Sequence, residues 1–121
     1  MINEVEKFKA LGEETRLRII RIMVKAGVEL CACEIIDILK KPQYTISKSL
    51  GVLVSSGFLS ERREGRMMFY AMIQNSFNKA LYQGIAEIKC DSNAAFKDDF
   101  SRMAKRLSVR KNGVCVEGCS R

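Results

Sequence analysis

The chain has 121 residues, 47% apolar and 29% charged, which bounds it to one globular domain with a single core and excludes an intrinsically disordered chain. Five cysteines and no histidine exclude His-based zinc sites and any Ser-His or Cys-His catalytic arrangement, and the odd thiol count argues against a disulfide framework. The net charge of +7 is uneven: six Lys/Arg stand against two Asp/Glu over residues 40–70, and six against one over residues 100–121, a clustering that suits phosphate contact.

In chain order, residues 3–11 form a short amphipathic helix with Val5, Phe8 and Leu11 on one side, and Gly12 breaks it. Residues 13–26 form a second helix. Leu17, Ile19, Ile20, Met23 and Val24 make its buried face, while Glu14, Arg18, Arg21 and Lys25 are expected on the wet face. Gly27 ends it. A third helix starts at Cys31 and runs to Leu39, with Ile35, Ile38 and Leu39 toward the core.

After a break at Lys40-Lys41-Pro42, residues 42–57 carry Ile46, Leu50, Leu53 and Val54 as one apolar stripe. Two helices across so short a turn read as a helix-turn-helix. Tyr44, Thr45, Ser47, Lys48 and Ser55 fall on the other faces as short hydrogen-bonding groups and one cation, suited to base edges in a major groove. Gln43, Tyr44, Thr45, Ser47 and Lys48 are the residues expected in that groove.

Residues 58–63 and 67–73 have strand character around the turn signal Glu64-Gly65. With Arg62, Arg63 and Arg66 at its tip, this hairpin reads as a β-wing lying on the DNA backbone. Ser76 is placed as the cap of a helix reaching about Cys90, striped by Phe77, Leu81, Ile85 and Ile88. Asp91-Ser92 mark a break and a new cap. Phe96, Phe100, Met103 and Leu107 then define a last helix. Residues 1–109 are thus expected to form a DNA-binding and dimerisation domain, mainly α with a small β-hairpin. Residues 110–121, with two glycines and no periodicity, read as a flexible tail carrying Cys115 and Cys119.

No apolar run reaches membrane-spanning length, and the acidic, amphipathic start is no secretion signal, so the expected location is the cytoplasm. A Gly-rich phosphate loop is also missing, as is a carboxylate pair set up for acid–base work. The chain is therefore read as a non-enzyme.

The stretches LGEETRLRIIRIM (11–23), ELCACEI (29–35), TISKSLGVLVSSGFL (45–59) and RREGRMMFYAM (62–72) together resemble the ArsR/SmtB family of winged-helix metalloregulatory repressors. The resemblance implies a homodimer joined by its first and last helices. It further implies an apo form that binds double-stranded operator DNA and releases it when metal binds. ELCACEI is similar to the ELCVCDL box of arsenic- and cadmium-responsive members, whose cysteines on this helix bind the inducer. Cys31 and Cys33 match its first two cysteines, and Ile36 stands where a third is often found. The family's other site, on the last helix, uses histidines that this chain lacks.

Thiolates select soft ions over Mg²⁺ or Ca²⁺. Residues two apart on a regular helix diverge by ~200°, so one ion holds both only at a helix end or by distorting the turn. The first outcome expected is that closing the chelate shifts this helix and the recognition helix behind it. Because two thiols are too few for a closed site, Cys115 and Cys119 are the expected supplement, and Cys90 is assigned a structural role. The leading inducer is As(III) or Sb(III), held by Cys31, Cys33 and one tail cysteine. The alternative is Cd(II) or Pb(II) held by all four, or a thiol-redox switch through the same cysteines. CxC rather than CxxC spacing speaks against a thiol reductase.

Overall fold

The computed structural model describes residues 2–89 and 93–110, so Cys90, Asp91, Ser92, Cys115 and Cys119 lie outside the described residues, and the last helix is capped by Asn93 rather than by the expected Asp91-Ser92. Its elements are α1 (Ile2–Leu11), α2 (Glu14–Ala26), β1 (Leu30–Cys31), α3 (Ala32–Leu39), α4 (Gln43–Ser55), β2 (Leu59–Glu64), β3 (Met67–Met72), α5 (Ser76–Ala86) and α6 (Ala94–Ser108). The strands form one antiparallel sheet in the order β1-β3-β2, with Arg62 opposite Phe69 on one side and Cys31 opposite Phe69 on the other. This is a winged helix-turn-helix. The sheet has three strands rather than the two of a hairpin, because Leu30-Cys31 adds a short edge that is too brief to show alternation in the sequence.

The helix ends follow from local chemistry. Glu13 caps α2 by accepting the N–H groups of Thr15 and Arg16, and Gly27 closes it at a positive φ of 69°. Asn75 caps α5 in place of the expected Ser76, and Asn93 caps α6. The turn between α3 and α4 relies on Lys40 in the left-handed region, the one non-glycine residue with positive φ among those described.

Ile19, Ile20, Ile22 and Met23 of α2 meet Ile35, Ile38 and Leu39 of α3 and Ile46, Leu50 and Leu53 of α4 in one buried cluster. The wet face expected for α2 is half wrong: Arg18 and Arg21 are buried. The Arg18 guanidinium makes a fork onto the fully buried Asp99 of α6, with Nε–Oδ2 at 2.9 Å and Nη2–Oδ1 at 2.7 Å. Arg21 lies over the Phe100 ring and donates to the Ile88 carbonyl. A partner 81 residues away makes burial of such a charge tolerable, since the fork meets both carboxylate oxygens. On α5, buried Asn78 donates to the carbonyls of Gly57 and Ile73, and Tyr82 donates to those of Phe58 and Ile73, which ties the end of α4 and the root of the wing to α5.

Candidate nucleic-acid interface and cysteine site

Helix α4 buries Ile46, Leu50 and Leu53 completely, so its orientation on the core is fixed by one apolar stripe. The opposite face is presented outward: Gln43, Tyr44, Ser47 and Lys48 are exposed and Thr45 is half-buried. Tyr44 at 75% exposure is a large aromatic ring left in water, which an intrahelical role does not account for. These polar side chains lie together on one outward face of a helix entered through Pro42, an arrangement suited to a major groove.

The wing holds its arginines in two different ways. Arg63 and Arg66 flank the tip, where Gly65 takes a positive φ, and both are exposed. Arg62, on the other face of β2, lies 4.6 Å over the Phe69 ring, pairs with Glu29 at 2.5 Å and also pairs with Glu64. Its expected place on a DNA backbone is thus filled, in the DNA-free chain, by two carboxylates and a ring.

Cys31 and Cys33 lie at the junction of β1 and α3. Cys31 is the N-cap of α3 in an extended conformation (φ −88°, ψ 160°) and is 1% exposed. It takes the place of serine in a capping box: its sulfur accepts the Glu34 N–H, and Glu34 Oε1 accepts the Cys31 N–H at 3.0 Å. Because Cys31 is extended, the divergence of two residues on a regular helix does not apply. Cys31 and Cys33 instead share one small apolar cluster with Phe69 and Met67 of β3, separate from the main core. The neighbours of the pair therefore belong to the wing.

Glu34 is a fully buried carboxylate. Burial opposes its ionisation, yet hydrogen bonds from Arg110 and from the Cys31 amide hold its pKa below the ordinary glutamate value. Arg110 makes the fork at 2.6 Å to both oxygens and donates to the Glu29 carbonyl at 2.8 Å. Sequence reasoning missed both residues. The C-x-x-E spacing at 31–34 was the available signal for Glu34; nothing local marks Arg110. Among the described residues no group of three or more His, Cys, Asp or Glu side chains is placed to hold a metal.

Residues 13–61 match the family described as bacterial regulatory protein, arsR family. Across 117 residues, 95% of this chain and 99% of the relative, the sequence is 39% identical to the arsenic resistance transcriptional regulator ArsR2 of Pseudomonas putida. The chain belongs to the arsR family of bacterial regulatory proteins. This arsR-family chain is also 44% identical to an uncharacterized HTH-type transcriptional regulator of Methanocaldococcus jannaschii over 70 residues, 58% of this chain and 78% of the relative. Among solved structures it is similar to HlyU from Vibrio cholerae N16961, with a TM-score of 0.65 and 26% identity over 74% of this chain and 94% of that one. These relatives are regulators, not enzymes, and this arsR-family chain is accordingly a DNA-binding regulator of transcription. No helix among the described residues is long and apolar enough to cross a membrane.

Proposed function

We propose that the chain is a cytoplasmic, homodimeric repressor that binds operator DNA without inducer and releases it when As(III) or Sb(III) is bound. Gln43, Tyr44, Thr45, Ser47 and Lys48 read base edges, and Arg63 and Arg66 hold phosphates. Val5, Phe8 and Phe77 are exposed apolar side chains, with Phe8 and Phe77 in edge contact at 6.1 Å, and they favour a dimer through α1 and α5. Ile85 is buried and Leu81 and Ile88 pack on the core, so that contact rests on the outer part of the stripe.

The observation that carries the inducer reading is the pairing of Cys31 and Cys33 at one helix start, with the chain's exit anchored beside them. Arg110 is held by Glu34 and by the Glu29 carbonyl. Cys115 follows five residues later and so lies within ~17 Å of chain reach, which favours a third thiolate from the same subunit. Soft thiolates in that number suit trivalent arsenic, and a fourth from Cys119 suits cadmium or lead.

The test is operator binding by the apoprotein, titrated in parallel with arsenite, cadmium, lead and zinc while free thiols are counted. Three thiols consumed per ion with release supports As(III), and four supports Cd(II) or Pb(II). Cys31→Ser and Cys33→Ser proteins are expected to bind operator and ignore the ion. A chain truncated after Lys111 that responds to arsenite with unchanged stoichiometry refutes the tail ligand. Release by peroxide with no metal present, together with no response to any of the four ions, refutes the metal reading in favour of a redox switch.

A further inference from the structure

Phe69 stands at the centre of a row that crosses the sheet: Cys31 is its partner on one side and Arg62 on the other. Its ring belongs to the small cluster with Cys31, Cys33 and Met67, and Arg62 stacks on it at 4.6 Å. Glu29, the carboxylate that pairs with Arg62 at 2.5 Å, lies two residues before Cys31 on the same backbone. Of the three partners of the Arg62 guanidinium, Glu29 belongs to the cysteine box and Phe69 packs on both cysteines, while Glu64 lies on the wing itself. Helix α4, by contrast, meets α3 through Ile35, Ile38 and Leu39 in the main core, a cluster that contains neither cysteine. Side chains packed at that density leave less room for a second arrangement than a half-exposed one has. Arg62 does have one, because it is half-exposed and its guanidinium suits a phosphate as well as a carboxylate.

We propose that Arg62 is a latch between the cysteine pair and the wing: seated on Phe69 and Glu29 it holds the wing back, and released it joins Arg63 and Arg66 on the DNA backbone. This rests on Cys31 and Cys33 being the inducer site. An ion drawn between the two thiolates fixes β1 and the Phe69 ring and so favours the seated latch. DNA favours the released latch by offering a phosphate. Each ligand thereby prefers a different state of one side chain, as coupling requires. Arg62 and Glu29 are positioning residues for induction and do not touch the ion.

The test compares wild type, Glu29→Gln, Arg62→Ala and Arg62→Lys in operator affinity, its salt dependence, and arsenite uptake followed by thiolate–arsenic absorbance. Glu29→Gln weakens the seat alone, so its apo form is expected to bind operator more tightly than wild type. Arg62→Ala is expected to bind more weakly, with the salt slope reduced by about one unit. Arg62→Lys keeps the charge and the slope but loses the bridge between Glu29 and Glu64. In all three, arsenite uptake stays at the wild-type stoichiometry while the fold-release of operator falls to about a tenth of wild type or less, a loss of ~1.4 kcal/mol of coupling. Wild-type release in Glu29→Gln and Arg62→Ala, or weaker operator binding by apo Glu29→Gln, overturns the latch. Absence of arsenite uptake by the wild type overturns the inducer reading and the link to it, while the apo affinity of Glu29→Gln independently reports whether the seat restrains the wing.

Discussion

Replacing Asp99 by Asn removes a charge at the point where α6 is fastened to α2 and α3, and keeps the shape. Asp99 is fully buried and accepts from Arg18 Nε at 2.9 Å, Arg18 Nη2 at 2.7 Å and Arg102 Nη2 at 2.9 Å. Asparagine keeps one acceptor and turns an N–H₂ group toward a guanidinium that itself only donates. Arg18 then retains the Leu39 carbonyl at 3.3 Å and a longer pairing with exposed Glu14 at 3.7 Å. Removing one partner of a buried ion pair costs about 3–5 kcal/mol, since the remaining charge is left without compensation. At roughly 3–5 °C per kcal/mol for a domain of this size, the midpoint of thermal unfolding should fall by about 10–20 °C. The assay is circular dichroism melting at one fixed protein concentration, because a dimer's midpoint depends on concentration. The double variant Arg18→Met, Asp99→Leu should recover most of the loss, as apolar replacement of a buried pair is often close to neutral. A destabilisation of Asp99→Asn below about 1 kcal/mol would refute the reasoning, because it would mean the pair is hydrated or its geometry is not maintained.

Three further outcomes are expected. Alanine at both Ser47 and Lys48 should weaken operator binding by about 5–150-fold and flatten sequence preference; wild-type affinity in a gel-shift titration would remove α4 from the groove. Phe8→Glu should shift the chain toward monomer in sedimentation at micromolar concentration, whereas an unchanged dimer would place the interface elsewhere. Although burial raises the Glu13 carboxyl pKa, the Thr15 and Arg16 amides bind its ionised form and leave it below the ordinary value of 4.5. Its capping contribution is therefore present above that value and lost as pH falls through the lowered pKa. The gap of about 1 kcal/mol between wild type and Glu13→Ala in urea unfolding should close in acid and stay constant from neutral pH upward.

By itself the sequence determined what depends on neighbours along the chain. The stripe Ile46, Leu50, Leu53 set the orientation of α4, and therefore which side chains face outward, because helical periodicity is local geometry. Gly27, Pro42 and Gly65 marked the ends and turns for the same reason. Cys31 at a helix start was legible too. Tertiary structure alone decided where the charges go. Arg18 and Arg21 sit at solvent spacing on α2, and only Asp99 and the rings of Phe96 and Phe100, brought from α6, make their burial possible. Glu34 meets Arg110 across 76 residues, and Arg62 meets Glu29 across 33. Apolar burial is nondirectional and repeats with the helix, so it leaves a pattern in the sequence. A paired charge depends on one specific partner at a few ångströms, and that partner's position exists only once the chain has folded.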